Sequence, residues 1–145
     1  MKTFEQLNSK FKEIFINISI KGEAYLLLEN KEKPLEAGVD INVKISHNKL
    51  LDIRSLSGGE KTLAALAFIF AIQEHQPGSF YLLDEVDAAL DKRNSEKWSH
   101  LIRKYSEKAQ YIMVSHNDSI ISEANTIYGV SMKEDGVSKI VSLKI

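Results

Sequence analysis

The chain contains no cysteine, only two prolines and no apolar run of the length that crosses a membrane. The lack of cysteine excludes disulfides and thiolate metal sites and fits a reducing, cytosolic setting. The apolar stretch 63–72 is well short of the ~18 residues of a membrane span and suits a buried helix. Charged side chains occur throughout residues 1–12, so we expect no signal peptide. These absences predict a cytoplasmic protein with no membrane partner.

An excess of either charge is also missing, since 19 basic and 20 acidic residues give a net charge of −1. The overall balance therefore gives no indication of nucleic acid or a membrane surface as a partner. The 145 residues have the length of one domain, and an apolar fraction of 43% is enough to fill its core.

The first residues have the spacing of an amphipathic helix. Phe4, Leu7, Phe11 and Ile14 are separated by three, four and three positions, with polar residues between them. This pattern fits a helix docked on the domain, and it equally fits the last two heptads of a longer coiled coil.

Strands and helices then follow one another in an order typical of α/β proteins. Residues 23–29, 39–46 and 50–53 alternate as strands and predict an antiparallel sheet, with a turn at Asn48-Lys49. The second half reads β-α-β-α-β, which predicts a mainly parallel sheet with right-handed crossovers. Its predicted elements are a helix from 57 to about 74, a strand at 80–83, a helix capped by Asp91, a strand at 111–114, a short helix at 119–124, and strands at 126–132 and 137–143 joined by a hairpin turn at Glu134-Asp135-Gly136.

One stretch combines glycines with a helix start. Ser57 and Glu60 have the spacing of a capping box, and Gly58 and Gly59 allow another group to approach the backbone. A helix start with free N–H groups and a hydroxyl can bind an anion. The simpler alternative is a well-capped buried helix.

Two predicted strands end in polar residues. Asp84-Glu85 follows the strand at 80–83, and Ser115-His116 follows the strand at 111–114. Ligands of parallel sheets bind at the carboxyl ends of the strands, where a carboxylate suits magnesium and a second one can orient a water. Taken singly, the acidic pair also fits a solvated turn and the histidine a surface or capping residue.

Together these motifs resemble those of the ABC-type ATPases. Their residues resemble the motif sequences of the structural maintenance of chromosomes (SMC) proteins in particular. Four motifs carry the resemblance: Leu56-Ser57-Gly58-Gly59-Glu60 is similar to the signature motif, Phe80 to Glu85 to the Walker B strand, Ala89-Leu90-Asp91 to the D-loop, and Ser115-His116 to the switch histidine. The run Asp84-Glu85-Val86-Asp87 is similar to SMC proteins, whereas coiled-coil repair ATPases usually have Pro-Thr at its third and fourth positions. The tail at 129–139 also resembles archaeal and bacterial SMC heads.

The resemblance implies half of an ATPase head. The P-loop pattern G-x-x-x-x-G-K-[ST] is absent, because Gly59-Glu60-Lys61-Thr62 lacks the required glycines. In SMC proteins that loop lies in an N-terminal lobe, joined through a long coil and hinge. We therefore expect residues 1–15 to be a stub of returning coiled coil and residues 16–145 to be the C-terminal lobe of an ABC-type head.

The resemblance also assigns roles and partners. It implies that the cofactors are ATP and Mg²⁺, and that the chain hydrolyses ATP only when an N-terminal lobe completes it. Further expected partners are a second SMC head, a kleisin subunit and, in the full complex, DNA, at the nucleoid during chromosome condensation and segregation. The alternatives are a double-strand-break repair ATPase head and a non-catalytic kleisin-binding module.

The resemblance implies a role for each candidate residue. The implied roles are magnesium binding through water for Asp84, water positioning for Glu85, γ-phosphate contact for His116, and contact with the ATP of the opposite head for Ser57, Gly58, Gly59, Glu60 and Asp91.

Overall fold

The computed structural model describes residues 1–19, 22–44 and 50–144. Within them, helices and short strands alternate along the chain. The helices are α1 (Lys2–Ile18), α2 (Gly58–His75), α3 (Lys92–Ser106) and α4 (Asp118–Ile121), with a 3₁₀ helix at Ile53–Ser55. The strands are β1 (Glu23–Leu28), β2 (Val39–Lys44), β3 (Leu50–Asp52), β4 (Phe80–Asp84), β5 (Gln110–Val114), β6 (Thr126–Met132) and β7 (Ser138–Lys144). No helix in these ranges has the length and apolar character needed to cross a membrane.

The predicted antiparallel sheet of the first half is confirmed, with the order β1-β2-β3. The end of the strand predicted at 39–46 and the Asn48-Lys49 turn lie outside the described residues. The strand predicted at 50–53 ends one residue early. It ends because the Asp52 side chain accepts a hydrogen bond from the Arg54 N–H and starts the 3₁₀ helix.

The prediction of a mainly parallel sheet is wrong for the described residues, whose small sheets are mostly antiparallel. Only β4 and β5 pair in parallel, through the crossover helix α3. The connection from β5 to β6, residues 115–125, has only the minimum length of a crossover, about 10–12 residues. Its helix α4 is a single turn. Strand β6 pairs over its full length with β7 in the predicted hairpin, where Gly136 has a φ of 80°.

The core lies between α1, α2 and α3. The second half of α1 buries Phe11, Ile14 and Phe15 against α2 and β1, so this helix is docked on the domain. Its extension into a coiled coil stays a prediction. The apolar run of helix α2 predicts burial on most sides, and this is confirmed in part. One side is buried in the core, whereas Ala65, Ile69 and Ile72 are exposed. Its Phe70 ring contacts Trp98 edge-on at 5.0 Å between centroids and stacks on Tyr111 at 5.8 Å.

The parallel pair β4–β5 is covered on one face only. Tyr81 and Leu83 point toward the helices, and the Tyr81 ring stacks on Tyr111. The opposite face presents four apolar side chains to solvent: Phe80 (63% exposed), Leu82 (66%), Ile112 (46%) and Val114 (46%). Strands of parallel sheets are normally covered on both faces, so this face is unusual.

A polar network joins three helices at one end of the core. Glu74, on α2, receives a hydrogen bond from the Tyr105 hydroxyl at 2.6 Å and pairs with Lys10 at 3.1 Å. Burial alone would raise the pKa of Glu74, but the Tyr105 hydrogen bond and the Lys10 charge together lower it below its usual value. The ionised carboxylate is therefore the form that stabilises the fold.

We predict that Glu74→Gln lowers the free energy of unfolding by about 1 kcal/mol at pH 7. Because folding lowers the pKa of Glu74, its contribution is complete at neutral pH and is lost as the pH falls through that lowered value. The difference from wild type should therefore be smaller at pH 3 than at pH 7. Urea unfolding followed by fluorescence of the single tryptophan, Trp98, measures both values.

The matched control is Glu32→Gln, in the exposed loop between β1 and β2, which should leave stability unchanged at both pH values. An equal loss for Glu74→Gln at pH 7 and pH 3 would contradict the electrostatic account of this network.

Candidate functional site

The carboxyl end of β4 has an unusual backbone conformation. The strand ends at Asp84, and Glu85 follows with a φ of 47°, the only described non-glycine residue with a positive φ. Its N–H donates to the Val114 carbonyl of β5 at 2.9 Å, which holds it in place. A residue held in this left-handed region costs of the order of 1–3 kcal/mol, and such residues cluster at functional sites.

The predicted pairing of the two strand tips is present. Oε1 of Glu85 lies 3.3 Å from Nε2 of His116, and both side chains are largely exposed. They line a cleft of about 230 Å³ that is open to solvent. A carboxylate that faces an imidazole across an open cleft can orient a water molecule and accept its proton.

Sequence reasoning missed one residue of this site. Asp87 is only 4% exposed, and its Oδ2 accepts a hydrogen bond of 2.7 Å from the Ser115 hydroxyl. The Ser115 oxygen in turn accepts from the Asn117 N–H at 3.0 Å. Nothing in the spacing distinguishes Asp87 from an acid on a solvated turn, because its burial follows from a contact 28 positions away.

The predicted capping box begins α2. The Glu60 N–H donates to the Ser57 hydroxyl oxygen at 3.4 Å, and the Ser57 N–H donates to Oε2 of Glu60 at 2.9 Å. The Ser57 hydroxyl also donates to that carboxylate, at 2.7 Å. No described residue accepts a hydrogen bond from the N–H groups of Gly58 and Gly59, so these donors are available for an anion.

The two glycines differ in what surrounds them. A side chain at Gly58 would meet nothing within 4 Å, whereas a Cβ at Gly59 would lie 2.9 Å from the Ala89 carbonyl oxygen. Gly59 therefore lets the start of α2 pack on the segment that follows Glu85.

Asp91 has the structural role predicted for it. Its Oδ1 accepts from the Asn94 N–H at 2.9 Å, and its Oδ2 accepts from the Asn94 side chain at 3.3 Å. It therefore caps α3 and fixes the end of the segment that begins at Glu85.

Comparison with known proteins decides the family. The family described as the RecF/RecN/SMC N terminal domain matches residues 2–139. The chain belongs to this family. It forms part of an SMC-type ATPase head, an α/β fragment that superposes on solved SMC heads.

The similar SMC proteins are archaeal and bacterial. The chain is 46% identical to the chromosome partition protein Smc of Pyrococcus furiosus and 39% identical to that of Bacillus subtilis, over 100% and 99% of its length. It spans about 12% of the length of these curated relatives. An SMC head bound to the C-winged helix domain of ScpA has a TM-score of 0.93 at 46% identity, with 100% of this chain and 44% of that one covered. A structure from work on ATP-driven dimerization of SMC ATPases has a TM-score of 0.88 at 44% identity, with 99% and 87% covered.

Few side chains of this SMC fragment could serve as ligands of a magnesium ion. Among the described residues, no three His, Asp or Glu side chains lie close enough together to hold a metal ion. Magnesium at nucleotide sites takes one or two protein carboxylates, and phosphate and water oxygens complete its shell. The exposed carboxylate of Asp84 fits one ligand of such a shared site.

We predict that Gly59→Ala destabilises the fold by about 1–3 kcal/mol, because the new methyl group overlaps the Ala89 carbonyl. The matched variant Gly58→Ala should change stability by less than about 0.5 kcal/mol, since its methyl group faces open space. Urea unfolding of the two variants gives the comparison. Equal effects at both positions would contradict the packing of α2 on the segment that follows Glu85.

Proposed function

We propose that the chain is the C-terminal lobe of an SMC head, which hydrolyses ATP when an N-terminal lobe completes it. The observation that carries this proposal is the bare apolar face of β4–β5, beside strand tips that present Asp84 and Glu85. A lobe whose side chains pack on this face would cover it. It would also supply the P-loop that this sequence lacks. The family description names an N-terminal domain, so the assignment to the C-terminal lobe rests on motif content.

The strand tips then have distinct tasks in hydrolysis. Asp84 lies on the bare face, where its carboxylate would hold magnesium through water, and the ion would neutralise phosphate charge when bound. Glu85 orients the attacking water and accepts its proton. His116, across the cleft, donates a hydrogen bond to the γ-phosphate. The 3.3 Å contact between Glu85 and His116 supports their action on one substrate.

The start of α2 serves a second nucleotide. The N–H groups of Gly58 and Gly59, the Ser57 hydroxyl and the positive end of an 18-residue helix favour a phosphate. The open space beside Gly58 leaves room for a nucleotide held by another head. Glu60 would have to release the Ser57 hydroxyl before a phosphate accepts it. Asp91 would lie at the same head–head interface. Charge-assisted contacts to the γ-phosphate would then hold two heads together until hydrolysis.

The proposed process is ATP-dependent chromosome organisation and segregation, with association at the nucleoid. The relatives are chromosome partition proteins, and related heads are described as dimerising with ATP and as binding ScpA. We propose the corresponding partners for this chain: a second head, a kleisin and, in the full complex, DNA. Helix α1 would continue into the coiled coil that connects the head to the rest of the protein.

We predict that the chain alone shows no ATP turnover and that mixing it with its N-terminal lobe restores turnover. The physical reason is that the phosphate-binding loop and the water-positioning carboxylate lie on different lobes. Phosphate release measures both states. Ser57→Arg should abolish the restored turnover, since its bulk blocks a second head.

The matched control is Ser122→Arg, which adds the same side chain at an exposed position after α4 and should leave turnover intact. ATP turnover by the pure chain, or normal turnover by the Ser57→Arg mixture, would overturn the proposal of two lobes and two heads.

We further predict that Glu85→Gln in the completed head lowers turnover at least about 100-fold while ATP binding persists. An amide at this position can orient water but accepts no proton, so the ATP-bound heads stay paired. Size-exclusion chromatography with ATP measures the pairing, and Glu96→Gln on the exposed side of α3 is the control. Normal hydrolysis by the Glu85→Gln head would refute the role given to this carboxylate.

A further inference from the structure

The two strand tips are joined by a buried side-chain hydrogen bond outside the predicted site. Asp87 is 4% exposed and accepts the Ser115 hydroxyl proton at 2.7 Å. A buried carboxylate is costly unless it is hydrogen-bonded, so this contact satisfies a strong local requirement. It links the turn after β4 to the end of β5.

The Ser115 hydroxyl has a fixed direction. Its oxygen accepts the Asn117 N–H at 3.0 Å, and its proton goes to Asp87. The Asn117 side chain then accepts the Ser119 N–H and caps α4. His116 lies between the two anchored residues Ser115 and Asn117. Its backbone is therefore held at both ends although its side chain is largely exposed.

The backbone of Glu85 is held by the end of β5 and by the turn after β4. The Glu85 N–H donates to the Val114 carbonyl, and the Glu85 carbonyl accepts a hydrogen bond from the Ala88 N–H at 3.1 Å. Its positive φ needs such support, because a residue keeps a strained conformation only where its surroundings determine it. The Asp87–Ser115 bond lies two residues from Glu85 and one from His116. It is thus placed to keep these two side chains opposed.

We propose that Asp87 is a positioning residue for ATP hydrolysis: through Ser115 it holds the tip of β5 against the tip of β4, so that His116 and Glu85 face one substrate. This inference rests on the proposed ATPase function. Asp87 lies in the wall of the cleft that Glu85 and His116 line, but it is only 4% exposed and its Oδ2 accepts the Ser115 hydroxyl. We therefore assign it to positioning and not to substrate contact. Its effect is on the geometry of the exposed pair, and a small displacement of reacting groups lowers a rate strongly.

The test uses the completed SMC head with Asp87→Ala, Ser115→Ala and the double variant. Each single variant should lower kcat by about tenfold or more and change KM by less than about threefold. The double variant should be no slower than the slower single one, because both changes remove the same bond. Asp87→Asn should retain at least half of kcat, since the amide oxygen accepts the same proton. Ser122→Ala removes an exposed serine hydroxyl elsewhere and is the control for the serine change.

A second readout needs no ATP. Hydrogen exchange of residues 113–118 in the nucleotide-free head should speed up in Asp87→Ala and Ser115→Ala but not in Asp87→Asn. A wild-type kcat in Asp87→Ala, additive losses, or equal loss in Asp87→Asn and Asp87→Ala would overturn the positioning role. If the wild-type head shows no turnover, the proposed function fails, while the exchange result still supports or overturns the Asp87–Ser115 link.

Discussion

Parallel pairing of β4 with β5 brings the carboxyl ends of two strands to one edge, and the other functional features depend on it. The register places Asp84 opposite Val114, so Glu85 and His116 follow as neighbours. Helix α2 covers one face of the pair, where Phe70 stacks on Tyr111 and Tyr111 stacks on Tyr81. The opposite face stays apolar and bare. This one strand pairing therefore determines the position of the candidate site and leaves one apolar face of β4–β5 uncovered.

Two residues of the candidate site, Glu85 and Ser57, have local interactions that differ from what the proposed function would need. Glu85 keeps a left-handed conformation that a regular turn would avoid, and the hydrogen bond from its N–H to the Val114 carbonyl of β5 compensates for it. The capping box at Ser57 and Glu60 stabilises α2, yet it engages the hydroxyl that a phosphate would need. In the proposed pairing of two heads, the Ser57 hydroxyl has to exchange its bond to Glu60 for one to the phosphate.

Sequence reasoning predicted the parts of the fold that local patterns determine. The capping box, the Asp91 cap and the turn at Gly136 follow from residue types at fixed spacing, and the structure contains all three. The extent of the parallel sheet was mispredicted, because strand order does not show that β6 pairs only with its hairpin partner β7, and not with β4 or β5, among the described residues. The strand predicted at 80–83 is present, and the exposed Phe80 and Leu82 show that this part of the chain covers only one of its faces. Asp87 could not be found from sequence, since its burial depends on Ser115.

The central claim is that an N-terminal lobe covers the bare face of β4–β5. A chain without cysteine allows a direct measurement, in which single thiols are introduced by Leu82→Cys and, as a control, by Leu35→Cys. Both positions are exposed, at 66% and 99%, so both thiols should react rapidly with a maleimide in the chain alone. After addition of the N-terminal lobe, the thiol at position 82 should be strongly protected and the thiol at position 35 should not. Unchanged reactivity at position 82 in a mixture that turns over ATP would contradict it.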